Sequence, residues 1–127
     1  MASILSAGTT SATAMVHTAD TSGVLQLASN NGTVALTVDT SQNVGIGWNS
    51  LQNNTTGTNN VSVGMQALKS NTTASDNSAL GLRALTSNTT GAFNTAIGSQ
   101  SLYSNTTASN NTAVGYKAGY SNTTGTQ

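Results

Sequence analysis

Apolar positions in the last two thirds of the chain recur with a fixed period. A glycine preceded by an aliphatic residue returns every 17 residues. These pairs are Ile46-Gly47, Val63-Gly64, Leu80-Gly81, Ile97-Gly98 and Val114-Gly115. No insertion interrupts the period over five copies, so this part of the chain is a tandem repeat.

Other residue types keep fixed places within the repeat. Four residues before each glycine lie Asn43, Asn60, Asn77, Asn94 and Asn111. Four residues after it lie Leu51, Leu68, Leu85 and Leu102, with Gly119 in the last copy. Asn-Thr-Thr then begins at Asn54, Asn71, Asn88, Asn105 and Asn122, and the next residue alternates between glycine and alanine. The alternation indicates that neighbouring repeats pair.

Each repeat predicts a short strand, a second apolar piece and a turn. The strand is Val61–Val63 or its equivalents, which are rich in β-branched and small residues. Asn-Thr-Thr predicts a turn, because asparagine bonds to nearby backbone and tolerates left-handed geometry. A helix over Met65–Lys69 is an alternative for the second piece, although so short a helix needs tertiary support.

A repeat of this length cannot bury an apolar face alone, but stacked repeats can. Strands of successive coils would pair at a spacing of ~4.8 Å, and the aliphatic and asparagine positions would then form ladders. The sequence therefore predicts an all-β fold, a parallel β-solenoid or trimeric β-roll.

The first forty residues follow a different pattern. Three β-like runs, Thr13–His17, Val24–Leu27 and Val34–Val38, are separated by turn sequences at Asp20–Gly23 and Ser29–Gly32. We predict a small β attachment module at 1–42, followed by a repeat shaft at 43–127. The module continues directly into the first Asn-x-x-aliphatic-Gly signature.

Composition favours a core shared between chains. Apolar residues make up 35% of the chain and charged residues 5%, while Ser, Thr and Asn fill 56 of 127 positions. Three basic and three acidic residues give zero net charge, and the basic ones form no cluster. Nucleic acid and membrane surfaces are therefore not expected partners. A homo-oligomer is expected, since there is no charge repulsion to oppose it.

The titratable residues predict no catalytic or metal site. The chain has no cysteine, and its one histidine, His17, has no potential ligand near it in sequence. We interpret His17 as a strand residue, with a metal ligand on a trimer axis as the alternative. Asp20, Asp39 and Asp76 lie far apart in turn-like contexts. We expect no enzyme activity and no cofactor.

Two segments resemble known fibre proteins. Asn111–Ala118, followed by Ser121–Gly125, resembles a repeat common in phage tail fibres, and Val34–Gly47 resembles a module that precedes such repeats in marine and cyanobacterial phages. The Asn-x-Ala-aliphatic-Gly core is also similar to the head repeats of trimeric autotransporter adhesins, which are trimers of parallel β-rolls. The resemblance implies a homotrimeric, extended virion component.

We therefore expect a structural phage fibre, with residues 1–42 bound to other virion proteins. A tail fibre that contacts the host is preferred, and a capsid-attached fibre or decoration protein is the alternative. A bacterial adhesin is less favoured, because the N-terminus lacks the basic and apolar regions of a signal peptide. An ice-binding solenoid is also less favoured, because its threonine pairs, such as Thr72-Thr73, lie in predicted turns. Exposed aromatic residues make host glycans a further candidate partner, although packing between chains is preferred for them.

Overall fold

The structure is a computed structural model that describes residues 4–5, 15–16, 25–28 and 34–125. It is built from short strands. The strands are β1 (Ile4–Leu5), β2 (Met15–Val16), β3 (Leu25–Ala28), β4 (Val34–Val38), β5 (Val44–Ile46), β6 (Val61–Val63), β7 (Ser78–Leu80), β8 (Thr95–Ile97) and β9 (Thr112–Val114). Nowhere in the described residues is there a helix long and apolar enough to cross a membrane. The predicted all-β class is confirmed.

Strands β5 to β9 are the stacked coils of a solenoid. Each pairs in parallel with the next at a shift of one repeat, so that Val44 lies opposite Val61 and Val61 lies opposite Ser78. The same register continues through β8 and β9. Each 17-residue repeat is therefore one coil, and the predicted β-solenoid is confirmed.

An antiparallel strand pair precedes the first coil. β3 pairs with β4, and β4 pairs with β5, so all three belong to the same sheet as the coils. Leu36 lies opposite Ile46, and Val38 lies opposite Val44. The division predicted at residues 42 and 43 thus falls between two strands that hydrogen-bond to each other. β1 and β2 form a separate antiparallel pair.

The interior of the solenoid is narrow and holds one residue from the middle of each strand. These residues are buried and small: Gly45, Ser62, Ala79, Ala96 and Ala113. The repeat leucines complete the core, and Leu68 and Leu85 are fully buried. Because successive strand residues point to opposite faces, a three-residue strand with its middle residue inside directs both flanking residues outward.

The periodic glycines allow adjacent coils to approach closely. Gly64 has φ 135°, and a Cβ built on it would lie 2.6 Å from the carbonyl carbon of Gly81. Both the left-handed backbone and this contact require glycine. The core leucines also lie in the left-handed region, with φ 48° at Leu68 and 51° at Leu85, which costs each coil backbone energy that burial must offset.

Two asparagine ladders hydrogen-bond the coils together inside the solenoid. In the first, the backbone N–H and the side-chain amide of Asn60 donate to Asn43 Oδ1 at 2.8 and 3.0 Å. Asn77, Asn94 and Asn111 each repeat the backbone bond to the preceding asparagine. In the second ladder, Asn71 Nδ2 donates to Asn54 Oδ1 at 2.8 Å. The ladders satisfy polar groups that would otherwise be buried without partners.

Some predicted local structure differs from the fold. Met65–Lys69 contains no helix: Met65 to Lys69 form turns, because Gln66 and Leu68 have φ of 60° and 48°. β1 was not predicted, and its two residues lie in a sequence too short to show alternation. The predicted turns at 20–23 and 29–32 lie outside the described residues.

Candidate self-association face

The aliphatic residues that precede the glycines lie on the outside of the solenoid. We call them the aliphatic column: Ile46, Val63, Leu80, Ile97 and Val114. Leu80 is 44% exposed, and Val114 is 65% exposed. Parallel pairing places them at one level of each coil, so they form a continuous apolar row about 20 Å long at the usual strand spacing.

A second outward column lies just beyond the glycines. This trailing column consists of Trp48, Met65, Leu82, Ser99 and Tyr116. Trp48 is 48% exposed and Tyr116 is 71% exposed. The aliphatic and trailing columns together form a surface, here named the apolar face, that is larger than the scattered hydrophobic residues of an ordinary monomer surface.

The antiparallel strand β4 extends the apolar face at its N-terminal end. Leu36 is the register partner of Ile46 and is half-buried. Val38 lies opposite Val44 and is 37% exposed. The face therefore continues from the repeat onto the segment that precedes it, as one sheet surface.

Charged side chains do not interrupt the aliphatic column. Arg83 follows the trailing column, and its Nε donates to Gln66 Oε1 at 3.0 Å. Lys117 lies beside the aromatic rings of the last coil, with Nζ 5.2 Å from the ring centre of Tyr116 and 5.5 Å from that of Tyr120. A partner that covers the column would bury no unpaired charge there.

The side of the solenoid that carries the Asn-Thr-Thr turns is polar. The hydroxyl of Thr72 donates to the carbonyl oxygen of Thr89 at 3.1 Å, and Thr89 repeats this bond to Thr106 at 3.0 Å. The second threonine of each pair, such as Thr73, is exposed within a bend. The first hydroxyl of the first four pairs is thus used to hold the stack together.

The glycines, asparagines and leucines that define the repeat in the sequence all contribute to the packing of the coils. The glycines make the close approach between coils, and the asparagines and leucines lie inside. In the last coil Gly119 takes the leucine place, and beside it lies an open cavity of about 290 Å³ that is lined in part by Leu102, Ala113 and Ala118. Asn111, Thr112 and Asn122 also line the cavity, so its wall is mixed polar and apolar.

The acidic residues that are described serve the fold. Asp39 accepts from Asn43, and Asp76 Oδ1 accepts from Asn59 Nδ2 at 3.2 Å. Among residues 36–125 no three His, Cys, Asp or Glu side chains come together as a metal site would require. His17 and Asp20 lie outside the described residues.

The sequence interpretation missed that the aliphatic column faces outward. The available signal was the alternation in Asn-x-Ala-aliphatic-Gly, where the small residue, and not the large one, shares a face with the asparagine. No protein-family model, curated protein or solved structure matches this chain.

Proposed function

We propose that this chain is a non-enzymatic structural component of a phage virion, a fibre in which three copies join along their apolar faces into a shaft. The observation that carries the shaft is the apolar face, whose aliphatic column no charged side chain interrupts, on a chain of zero net charge. Covering such surface is favourable by roughly 25 cal/mol per Å². The virion assignment is supported by the resemblance of Val34–Gly47 and of the repeats to phage fibres.

A second copy of the chain is a well-matched partner for this face. The apolar side chains recur once per coil, so a partner must present groups at the same axial spacing. Another copy has that spacing along its whole length, whereas a globular partner would match it at few points. Cyclic association of identical copies is also the commonest form of protein oligomer.

In this proposal residues 1–42 bind other virion structural proteins and the repeats extend away from the particle. The preferred location is a tail fibre that contacts the host. Its ligand would be a host surface glycan, bound at a distance from residues 1–42. A capsid-attached fibre is the alternative. Antibody labelling of intact particles in electron micrographs distinguishes the two, and absence of the chain from purified particles would overturn the virion assignment.

The shaft is tested by sedimentation of the full chain and two matched double variants. Leu80→Lys with Ile97→Lys places charges in neighbouring coils of the aliphatic column. Thr73→Lys with Thr90→Lys places the same charges, one repeat apart, on the polar side. We expect trimers for the wild type and the threonine variant, and monomers with unchanged circular dichroism for the aliphatic variant. A wild type that stays monomeric at high concentration would contradict the shaft.

A further inference from the structure

The two edges of the outward strand surface show a reciprocal pattern. On one edge lies the trailing column. On the other, just before the inward asparagines, lies a leading column: Gln42, Asn59, Asp76, Phe93 and Asn110. In four coils the leading residue is polar and the trailing residue is large and apolar, as in Asp76 and Leu82. In the fourth coil both are reversed, with Phe93 leading and Ser99 trailing. Every coil therefore has one large apolar group at one of its two edges.

Phe93 occupies its position at a cost to the isolated chain. Its φ is 59°, in the left-handed region that asparagine and aspartate adopt at lower cost than bulky residues do. The corresponding Asn59, Asp76 and Asn110 have φ of 57°, 59° and 63°. The side chain of Phe93 is also 60% exposed, so burial within the chain does not compensate the strain. A strained and exposed aromatic residue points to a contact outside the chain.

Cyclic symmetry brings the two edges together. When copies are related by rotation about an axis parallel to the solenoid, equivalent coils lie at the same level. The leading edge of one copy then faces the trailing edge of the next. In an antiparallel pair different coils would meet, and the reciprocal pattern would have no function. The exchange of sizes in the fourth coil fits the parallel arrangement alone.

We propose that Phe93 of one copy packs over Ser99 of a second copy at the same level, and that this contact fixes the parallel register of the assembly. The inference rests on the self-association proposed above and adds its geometry. Ser99 leaves the room that Trp48, Met65, Leu82 and Tyr116 fill from the other side in their own coils. The fourth coil is the only described coil whose large group comes from the leading edge, so a shift by one coil would place Phe93 against a large residue.

A size-exchange experiment tests the contact. Phe93→Asn restores the residue type of Asn59 and Asn110 and should raise the dissociation constant of the assembly about tenfold or more, because the contact of a large aromatic side chain is lost. Ser99→Leu should also weaken assembly, because Phe93 and Leu would then compete for one space. The double variant recreates the pattern of the third coil and should return to within about threefold of wild type, in keeping with coupling between contacting residues.

The outcomes separate this inference from the proposed function. A monomeric wild type would overturn self-association itself. A wild type that assembles, with Phe93→Asn assembling equally well or with no rescue in the double variant, would overturn the Phe93–Ser99 contact and leave the shaft intact. A control is made in the monomeric Leu80→Lys, Ile97→Lys variant. Adding Phe93→Asn to that variant should not lower its free energy of unfolding, which excludes misfolding as the cause of weaker assembly.

Cross-linking gives an independent test, because the natural chain has no cysteine. Mixed chains that carry either Phe93→Cys or Ser99→Cys should be joined by a short bifunctional thiol reagent, because a phenylalanine ring between the two positions holds their Cβ atoms farther apart than the about 3.5–4.5 Å that a direct disulfide requires. Chains with Phe93→Cys alone should remain unlinked. Efficient linking of the Phe93→Cys chains to each other, with none to Ser99→Cys, would contradict the parallel register.

Discussion

Asp39 holds the first rung of the asparagine ladder at Asn43. The backbone N–H of Asn43 donates to Asp39 Oδ1 at 2.9 Å, and its side-chain amide donates to Asp39 Oδ2 at 3.0 Å. In each later coil the backbone donor bonds to the preceding asparagine, and at Asn60, Asn77 and Asn111 the side-chain amide does so as well. Asp39 therefore takes the place of a missing coil and satisfies donors that would otherwise lack acceptors.

Replacing this carboxylate should lower stability. We expect Asp39→Asn to reduce the free energy of unfolding by about 1–3 kcal/mol, because the new amide can accept only one of the two bonds and sets donor against donor. Urea denaturation at one fixed protein concentration measures it. Asp76→Asn is the matched control and should change stability by less than about 0.5 kcal/mol, since Asp76 is exposed and asparagine suits its φ of 59°. Equal losses in both variants would contradict the role of Asp39.

The middle of the ladder should be more sensitive. Asn77 Oδ1 accepts the backbone N–H of Asn94 at 2.9 Å, and Asn77 Nδ2 donates to the carbonyl oxygen of Ser75 at 3.1 Å. Asn77→Ala should cost roughly 2–4 kcal/mol in unfolding free energy, because the buried N–H of Asn94 loses its acceptor and the ladder is interrupted. In the same variant, hydrogen exchange at the backbone amide of Asn94 should be faster than in wild type. Asn53→Ala, at an exposed site, is the control, and a similar loss there would show that alanine itself is responsible.

The alternation of glycine and alanine after Asn-Thr-Thr has a steric cause. A Cβ built on Gly91 would collide with the carbonyl oxygen of Ala108 and would lie 2.6 Å from Asn88 Oδ1. Gly57 has the same relation to the coil of Ala74. The glycine coils thus leave room for the backbone of the alanine coil that follows.

Two alanine substitutions of glycine should therefore have opposite effects. We expect Gly91→Ala to destabilise the chain by about 1–3 kcal/mol through overpacking. Gly45→Ala should stabilise it by about 0.4–1 kcal/mol, because its Cβ would have ordinary contacts of 3.4 Å or more, and the unfolded chain would lose freedom. Thermal unfolding of the two variants beside wild type decides this. A lower melting temperature for Gly45→Ala would refute the steric account.

Two leucines three residues apart should separate folding from assembly. Leu85 is fully buried, and Leu85→Ala should cost about 2–5 kcal/mol in unfolding free energy through the cavity that it leaves. Leu82 is 42% exposed on the trailing column. Leu82→Ala should leave unfolding of the monomeric background nearly unchanged and weaken assembly in sedimentation. An assembly defect without instability in Leu85→Ala would reverse these assignments.

Much of the fold could be predicted because the 17-residue period is visible in the sequence. A repeat of constant length with an aliphatic residue and glycine at fixed places can bury its groups only when equivalent positions stack, so the coil, its strand at Val61–Val63 and the turn at Asn-Thr-Thr were predictable. Met65 to Lys69 were ambiguous, because a five-residue apolar piece has no period of its own. The turns of this segment require a left-handed backbone conformation at residues such as Leu68, and only burial in the stack offsets the strain.

By itself the sequence determined the repeat, its length, and the residue types that each coil must stack. Tertiary structure decided which side of the strand is inside, since the alternation in the sequence fits either side. Ala79 and Asn77 face the interior because the repeat leucines, such as Leu85, already fill the core beside the strand and leave room there only for small side chains and ladder amides, so that Leu80 lies outside. A large aliphatic residue is usually assigned to a core on hydrophobicity, but here the cross-section of the coil is the stronger constraint, and the apolar face results from it.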